Sequence, residues 1–69
     1  MQAMAKGKVK WFNEKKGFGY IETDSDGDVF FEQTAIRETG LKKLTFGQLV
    51  SFDLVQGPQG SVAENIKVL

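Results

Sequence analysis

The feature that most constrains the fold of this chain is a series of short runs rich in Val, Phe, Ile and Thr, divided by eight glycines. Apolar residues nowhere recur at helical spacing over ten or more residues, so the pattern indicates strands and turns. It predicts five strands, at residues 8–13, 17–23, 28–33, 49–56 and 61–68. Five strands of this length suit an all-β, small closed barrel.

Two segments have the composition of hairpin turns. Residues 24–28 join the second and third strands, where Asp tolerates left-handed geometry and Gly27 accepts a positive φ. Residues 57–60 join the fourth and fifth strands, with Pro58 fixing φ at the second turn position. Residues 34–48 form a long connection, in which we expect one helical turn at residues 34–37, capped by Thr34.

Size and composition exclude most catalytic and metal chemistry. A chain of 69 residues forms one domain with one small core, because it buries only about 60% of its unfolded surface. It has no Cys and no His, which removes disulfides, thiolate nucleophiles, imidazole bases and the usual zinc sites. Asp24, Asp26 and Asp28 imitate the start of a calcium loop, but Val29 stands where that loop requires Gly. We predict no enzymatic activity, no cofactor and no metal.

The sequence contains no segment of the kind that spans a membrane or directs export. No apolar run approaches the roughly 20 residues of a membrane span, and the first residues lack the apolar stretch of a signal peptide. We therefore expect a soluble, cytoplasmic protein without a membrane partner. Residues 1–5 are expected to form a flexible extension before a domain of residues 6–69. A monomer is expected, and exchange of strands across the long connection is an open alternative.

A net charge of zero conceals a strong segregation of charge. Residues 1–20 hold five lysines against one glutamate, a balance of +4. Residues 21–33 hold five carboxylates and no base, a balance of −5. Attraction to phosphate depends on the local field where a ligand docks, so the basic stretch is the candidate for binding a polyanion.

Alternation along the strands separates core from surface. Phe18 and Tyr20 share a face with Glu22, which belongs in water, so we expect both rings to point outward. Phe30 shares a face with Glu32 in the same way. The predicted core is Val9, Ile21, Val29, Phe31, Val50, Phe52, Leu54, Val62 and Ile66.

This core leaves five aromatic rings to spare, those of Trp11, Phe12, Phe18, Tyr20 and Phe30. Exposing a ring forfeits roughly 1.5 to 3 kcal/mol of burial, which is a large part of a small domain's stability. Lys8, Lys10, Lys15 and Lys16 are interleaved with the rings. Bases stack on exposed rings and lysines follow phosphates, so the set predicts a surface for single-stranded nucleic acid. The alternatives are rings buried by a different register, or an exposed cluster that has no ligand.

Several segments together resemble the bacterial cold-shock domain, over nearly all of residues 6–68. They read Lys8-Val9-Lys10-Trp11-Phe12-Asn13, Lys16-Gly17-Phe18-Gly19-Tyr20-Ile21, Asp28-Val29-Phe30-Phe31 and Ala63-Glu64-Asn65-Ile66. The resemblance implies a five-stranded antiparallel OB-type barrel that binds single-stranded RNA or DNA. It further implies an RNA chaperone and a regulator of transcription or translation in cold or stress. The residues expected to bind nucleic acid are Lys8, Lys10, Trp11, Phe12, Asn13, Lys15, Lys16, Phe18, Tyr20, Asp28, Phe30, Glu32, Gln33 and Lys42.

Two glycines within these segments allow two interpretations. Gly17 and Gly19 keep the second strand free of bulk, so that bases lie flat on the rings, or permit the curvature of the barrel, and the two roles are compatible. A segment such as residues 16–21 also marks the RNA-recognition motif. That motif needs a strand and a helix before this segment, and the fifteen preceding residues have no helical periodicity.

The third strand departs from the family pattern. Glu32 stands where relatives usually have His, Gln33 where they usually have Phe, and Leu41 where Phe is frequent. Losing two stacking rings costs up to roughly 2 to 6 kcal/mol of binding, and Glu32 adds a negative charge beside a polyanion. We expect a weaker binder or one that reads a shorter strand, unless both side chains hydrogen-bond base edges. A protein-interaction module that has lost nucleic-acid binding is the alternative function.

Overall fold

Five strands close into a barrel in the computed structural model, which describes residues 3–37 and 44–69. The strands are β1 (Ala3–Asn13), β2 (Phe18–Glu22), β3 (Asp28–Glu32), β4 (Leu49–Gly57) and β5 (Gly60–Val68). Their order around the barrel is β1-β2-β3-β5-β4. The predicted all-β barrel is confirmed, and each predicted strand overlaps an observed one.

Strand β1 is the long strand on which the barrel closes. It pairs antiparallel with both β2 and β4. It begins at Ala3, which pairs with Leu54, so three of the five residues expected in a flexible extension belong to the strand. The pairs β2–β3 and β4–β5 are also antiparallel, whereas β3 and β5 run parallel where Phe30 meets Val62. The expectation of a wholly antiparallel barrel therefore needs correction at this one seam.

The predicted turns join the strands as expected. Thr23 Oγ1 donates a hydrogen bond to the Gly27 carbonyl oxygen (2.8 Å) and accepts one from the Asp26 N–H (2.9 Å). Gly27 has a φ of +68°, which a residue with a side chain rarely adopts. The second hairpin closes through the pair Gly57 and Gly60.

The helical turn in the long connection differs from the prediction. It is a 3₁₀ turn at Gln33–Ala35, and its N-cap residue is Glu32, which makes no side-chain capping hydrogen bond. The prediction that Thr34 caps this turn was therefore wrong. None of the described residues forms a helix long and apolar enough to cross a membrane.

The core contains seven of the nine predicted residues. The buried side chains are Val9, Ile21, Val29, Phe31, Leu44, Val50, Phe52, Ala63 and Ile66. Leu54 is half-buried and packs against this cluster, whereas Val62 is half-buried and lines a groove on the outer surface. Asn65, with φ of +52°, and a register shift opposite it in β4 interrupt the alternation of β5. Ala63 and Ile66 therefore both point inward, and the assignment of Val62 to the core was wrong.

A bulge in β1 produces a second departure from strict alternation. The register with β2 shifts between Val9 and Trp11, so Lys10 and Trp11 both lie on the outside. Phe12 then turns inward, and its ring stacks on Phe31 with centroids 5.6 Å apart and planes 9° apart. The prediction that the core can spare Phe12 was therefore wrong.

Candidate nucleic-acid interface

Four aromatic rings form one continuous surface on the outer face of β1, β2 and β3. We call this set, Trp11, Phe18, Tyr20 and Phe30, the aromatic platform. Tyr20 lies opposite Trp11 in β1 and opposite Phe30 in β3, so three of the rings line up across the three strands. Cross-strand neighbours of this kind lie close enough for ring contact.

The rings contact one another in a closed cycle. The ring centroids of Trp11 and Phe18 are 5.4 Å apart, and those of Phe18 and Phe30 are 5.7 Å apart. Tyr20 completes the cycle at 6.3 Å from Trp11 and 5.7 Å from Phe30. Each ring is thus held by two others before any ligand arrives, which lowers the entropy that a ligand must remove on binding.

The platform keeps part of its aromatic surface in water. Trp11 is 45% exposed and Tyr20 is 38% exposed, whereas Phe18 and Phe30 are half-buried. The predicted outward direction of Phe18, Tyr20 and Phe30 agrees with this arrangement. An exposed ring surface of this size gives unpaired bases a place to stack.

Gly19 lies beneath the platform and not on it. It is buried, and a Cβ atom there would overlap the Trp11 carbonyl oxygen and lie 2.9 Å from the Phe12 Cα. Close packing of β1 on β2 thus requires glycine at this position. Gly17 has a φ of +74° in the turn before β2. Gly19 is therefore explained by strand packing and Gly17 by its backbone conformation, and a role of either glycine in keeping space for bases stays a prediction.

Lysines flank the platform on its β1 side and at the turn between β1 and β2. Lys8, Lys15 and Lys16 are exposed. Asn13 holds this turn, because its Oδ1 accepts a hydrogen bond from the Lys16 N–H (3.0 Å) and its carbonyl oxygen accepts one from the Gly17 N–H (2.7 Å). The Asn13 side chain thus orders the turn that carries Lys15 and Lys16.

Lys10 is the one predicted phosphate-binding lysine with an ion pair among the described residues. Its Nζ lies 2.8 Å from Asp28 Oδ2, and the two side chains are 50% and 45% exposed. The hydrogen bond from Lys10 to Asp28, together with the negative charge of that carboxylate, raises the pKa of Lys10 above its usual value. Asp28 thus holds a cation at the edge of the platform.

A groove adjoins the platform on the side of the β4–β5 hairpin. It encloses about 430 Å³ and is lined by Tyr20, Asp28, Phe30 and residues 58–62. Gln56 Nε2 donates a hydrogen bond to Ser61 Oγ (3.1 Å) at the base of the hairpin. The residue pattern predicted this hairpin as a turn but gave no reason to place it beside the rings, because only closure of the barrel brings β5 next to β3.

The two altered positions of β3 lie at the other edge of the platform. Glu32 is exposed and lies opposite Phe18 in the β2–β3 register. Gln33 is half-buried, and its backbone N–H donates a hydrogen bond to the Gly17 carbonyl oxygen (2.8 Å). Lys42 and Leu41 lie outside the described residues, so their predicted roles stay predictions.

Comparison with known proteins identifies the family. The sequence profile of the family described as the "'Cold-shock' DNA-binding domain" matches residues 5–69. The chain belongs to the cold-shock domain family. Members of this family bind single-stranded nucleic acid, and the exposed ring cluster fits that activity.

Individual relatives agree with the family assignment. The chain is 52% identical over 63 residues to cold shock protein CspB of Geobacillus stearothermophilus, covering 91% of this chain and 96% of that protein. It is 50% identical over 64 residues to cold shock protein CspC of Bacillus subtilis, covering 93% and 97%. The cold-shock domain also superposes on a solved Drosophila structure, Unr CSD456, with a TM-score of 0.81 and 22% identity. That match covers 97% of this chain and 27% of the Drosophila chain, and it shows the fold alone.

Proposed function

We propose that this cold-shock domain binds single-stranded RNA or DNA across the aromatic platform and thereby acts as an RNA chaperone. Regulation of transcription or translation in cold or stress would follow from the same activity, because an RNA kept unpaired is open to ribosomes and polymerase. The proposal includes no catalytic step, and cytoplasmic location and a monomeric state remain predictions.

The observation that carries the proposal is the cycle of four rings with lysines beside it. Stacking of one base on a ring is worth about 1 to 3 kcal/mol, and it does not depend on the identity of the base. The platform includes an exposed Trp and an exposed Tyr on neighbouring strands. The five lysines that give residues 1–20 their balance of +4 lie in β1 and in the turn between β1 and β2.

Each predicted contact except Phe12 has a place in this proposal. Bases stack on the platform, and Lys8, Lys10, Lys15, Lys16 and Lys42 contact phosphates. Asn13, Asp28, Glu32 and Gln33 are proposed to meet base edges. Phe12 is left out of the contact set because it packs against Phe31.

Titration of the intrinsic Trp11 fluorescence tests the binding step. The chain has one Trp, so quenching by oligothymidylate or oligouridylate reports on the platform directly. We expect quenching at micromolar or tighter affinity that weakens as salt rises, because phosphate contacts release counterions. Unchanged emission at micromolar concentrations in low salt would contradict binding and favour the protein-interaction module.

A hairpin-opening assay tests the chaperone step separately. An RNA hairpin with a fluorophore and a quencher at its ends should open as the protein is added, since binding the single strand shifts its equilibrium toward the unpaired form. The Trp11→Ala variant is expected to lose most of this effect. Binding of single strands without any opening of a marginally stable hairpin would leave the domain as a binder and remove the chaperone role.

A further inference from the structure

Phe46 is the most exposed of the large hydrophobic side chains among the described residues. It is 84% exposed, compared with 76% for Met4 and 45% for Trp11. It lies outside the aromatic platform, in the turn that precedes β4. A phenyl ring left in water to this extent has no role in packing the barrel.

The turn that carries Phe46 is fixed in place. The Gln48 N–H donates to the Thr45 carbonyl oxygen (3.1 Å), and the Thr45 N–H donates to Gln48 Oε1 (3.1 Å). Gly47 has a φ of +82°, which is the conformation that a type II turn requires at its third position. Phe46 thus occupies the second position of a closed turn, where its backbone is already ordered.

Two backbone hydrogen bonds attach this turn to β1. The Gly47 N–H donates to the Val9 carbonyl oxygen (2.7 Å), and the Val9 N–H donates to the Gln48 carbonyl oxygen (2.9 Å). The chain runs antiparallel to β1 here, as the pair Lys8 and Leu49 shows. The residues from Gln48 back to Phe46 therefore run alongside β1 from Val9 toward Lys10 and Trp11. The two segments are separated by about 5 Å, the usual spacing of neighbouring strands.

We propose that Phe46 is a further stacking position for single-stranded nucleic acid, at the β1 edge of the aromatic platform. The inference rests on the proposed function. Trp11 is the platform ring on β1, and Phe46 lies on the side of β1 away from β2, so a strand that extends past Trp11 comes to this turn. Lys8 and Lys10 are exposed on the stretch of β1 next to the turn and supply charge for the connecting phosphates. A base is favoured over a protein partner because this exposed ring lies in a turn bonded to β1, beside exposed lysines and on the strand that carries Trp11.

Oligonucleotide length separates this position from the platform. Affinities of the wild-type chain, Phe46→Ala and Phe46→Leu are measured by anisotropy for labelled oligothymidylates of about four and about eight nucleotides. We expect both variants to bind the longer strand about 5- to 100-fold more weakly and the shorter strand as the wild type does. Met4→Ala, which removes a comparably exposed apolar side chain at the far end of β1, should change neither affinity.

A relocated tryptophan gives a second, direct readout. In the double variant Trp11→Phe with Phe46→Trp, the emission comes from position 46 alone, because the chain has one Trp. The longer strand should quench it and the shorter strand should not.

The possible failures are distinguishable. If the wild type binds both strands and Trp11→Ala weakens binding while Phe46→Ala does not, the platform stands and the role of Phe46 is overturned, which leaves this ring for contact with a protein. If Phe46→Leu binds like the wild type while Phe46→Ala does not, the contact is apolar and stacking is overturned. A wild-type chain that binds neither strand overturns the proposed function itself.

Discussion

The Lys10 ammonium group lies 2.8 Å from a carboxylate oxygen of Asp28 and joins β1 to β3 across the outer face of β2. The Asp28 carboxylate partly neutralises the charge of Lys10, which weakens the attraction of this lysine for a phosphate. We expect Asp28→Asn to strengthen binding of oligothymidylate at low salt, by about two- to tenfold, and to make the salt dependence steeper by up to about 0.7 in log–log slope. Titrations at several salt concentrations measure both quantities.

Asp24→Asn is the matched control for this change. Asp24 is exposed in the same acidic turn, so its replacement removes the same charge without releasing Lys10. If Asp24→Asn strengthened binding as much as Asp28→Asn, the effect would come from net charge and not from the ion pair. A weaker Asp28→Asn variant would instead mean that the loss of the carboxylate's proposed contact with a base outweighs the charge released on Lys10.

The titration of Lys10 gives an independent check on the same pair. The hydrogen bond to Asp28 and the charge of its carboxylate favour the ammonium form, so the pKa of Lys10 lies above the usual lysine value. We expect Asp28→Asn to move this pKa down toward that usual value. NMR titration of the Lys10 side chain in both proteins measures the change, and an unaltered pKa would show that the pair does not persist in solution.

Phe12 and Trp11 are adjacent in β1, but replacing them should affect different properties, stability for Phe12 and oligonucleotide binding for Trp11. Phe12 packs on Phe31, so we expect Phe12→Ala to lower the free energy of unfolding by about 1 to 3 kcal/mol. Trp11 is 45% exposed, so Trp11→Ala should change stability by less than about 1 kcal/mol while weakening oligonucleotide binding about 5- to 100-fold. Urea unfolding followed by circular dichroism, with anisotropy of a labelled oligonucleotide, separates the two. A stable Phe12→Ala variant with lost binding would place Phe12 back among the contacts.

The contrast between Phe12 and Trp11 shows which side-chain directions can be predicted from the sequence. Alternation correctly predicts which way Phe18, Tyr20 and Phe30 point, because β2 and β3 are short and regular. It fails at Phe12, because the bulge beside Lys10 shifts the alternation by one residue and no residue type marks it.

Features that depend on contacts between remote parts of the chain also could not be predicted from the sequence. Residues 3–5 become a strand only because β4 offers a partner some fifty positions later. Asn65 reverses the side-chain direction of β5 through a positive φ, stabilised by hydrogen bonds of its side chain with Arg37 (3.1 Å) and Asp53 (2.7 Å). Positive φ is uncommon for any residue other than glycine, so the sequence predicts an unbroken alternation of side chains along β5.

Gly19 is expected to tolerate no side chain. A Cβ atom would overlap the Trp11 carbonyl oxygen and lie 3.0 Å from the Phe31 ring, so β1 and β2 would have to separate. We expect Gly19→Ala to cost about 1 to 3 kcal/mol of stability, the usual cost of overpacking. Gly27→Asn is the control, because that site is open and Asn tolerates its φ of +68°. Thermal melts of both variants measure the difference, and equal stability would contradict the packing argument.

Glu32 should weaken binding in two separable ways, by its charge and by the ring it lacks. It is exposed opposite Phe18, at the edge of the platform. Glu32→Gln removes only the charge, so its gain in affinity should fade as salt screens the repulsion. Glu32→His adds a ring that can stack, and Gln33→Phe adds another. We expect each substitution to raise the affinity for oligonucleotide by about 5- to 100-fold, and this gain should persist at high salt. Titrations at low and high salt measure both effects, and equal affinities for the Gln and His variants at high salt would show that this edge does not meet a base.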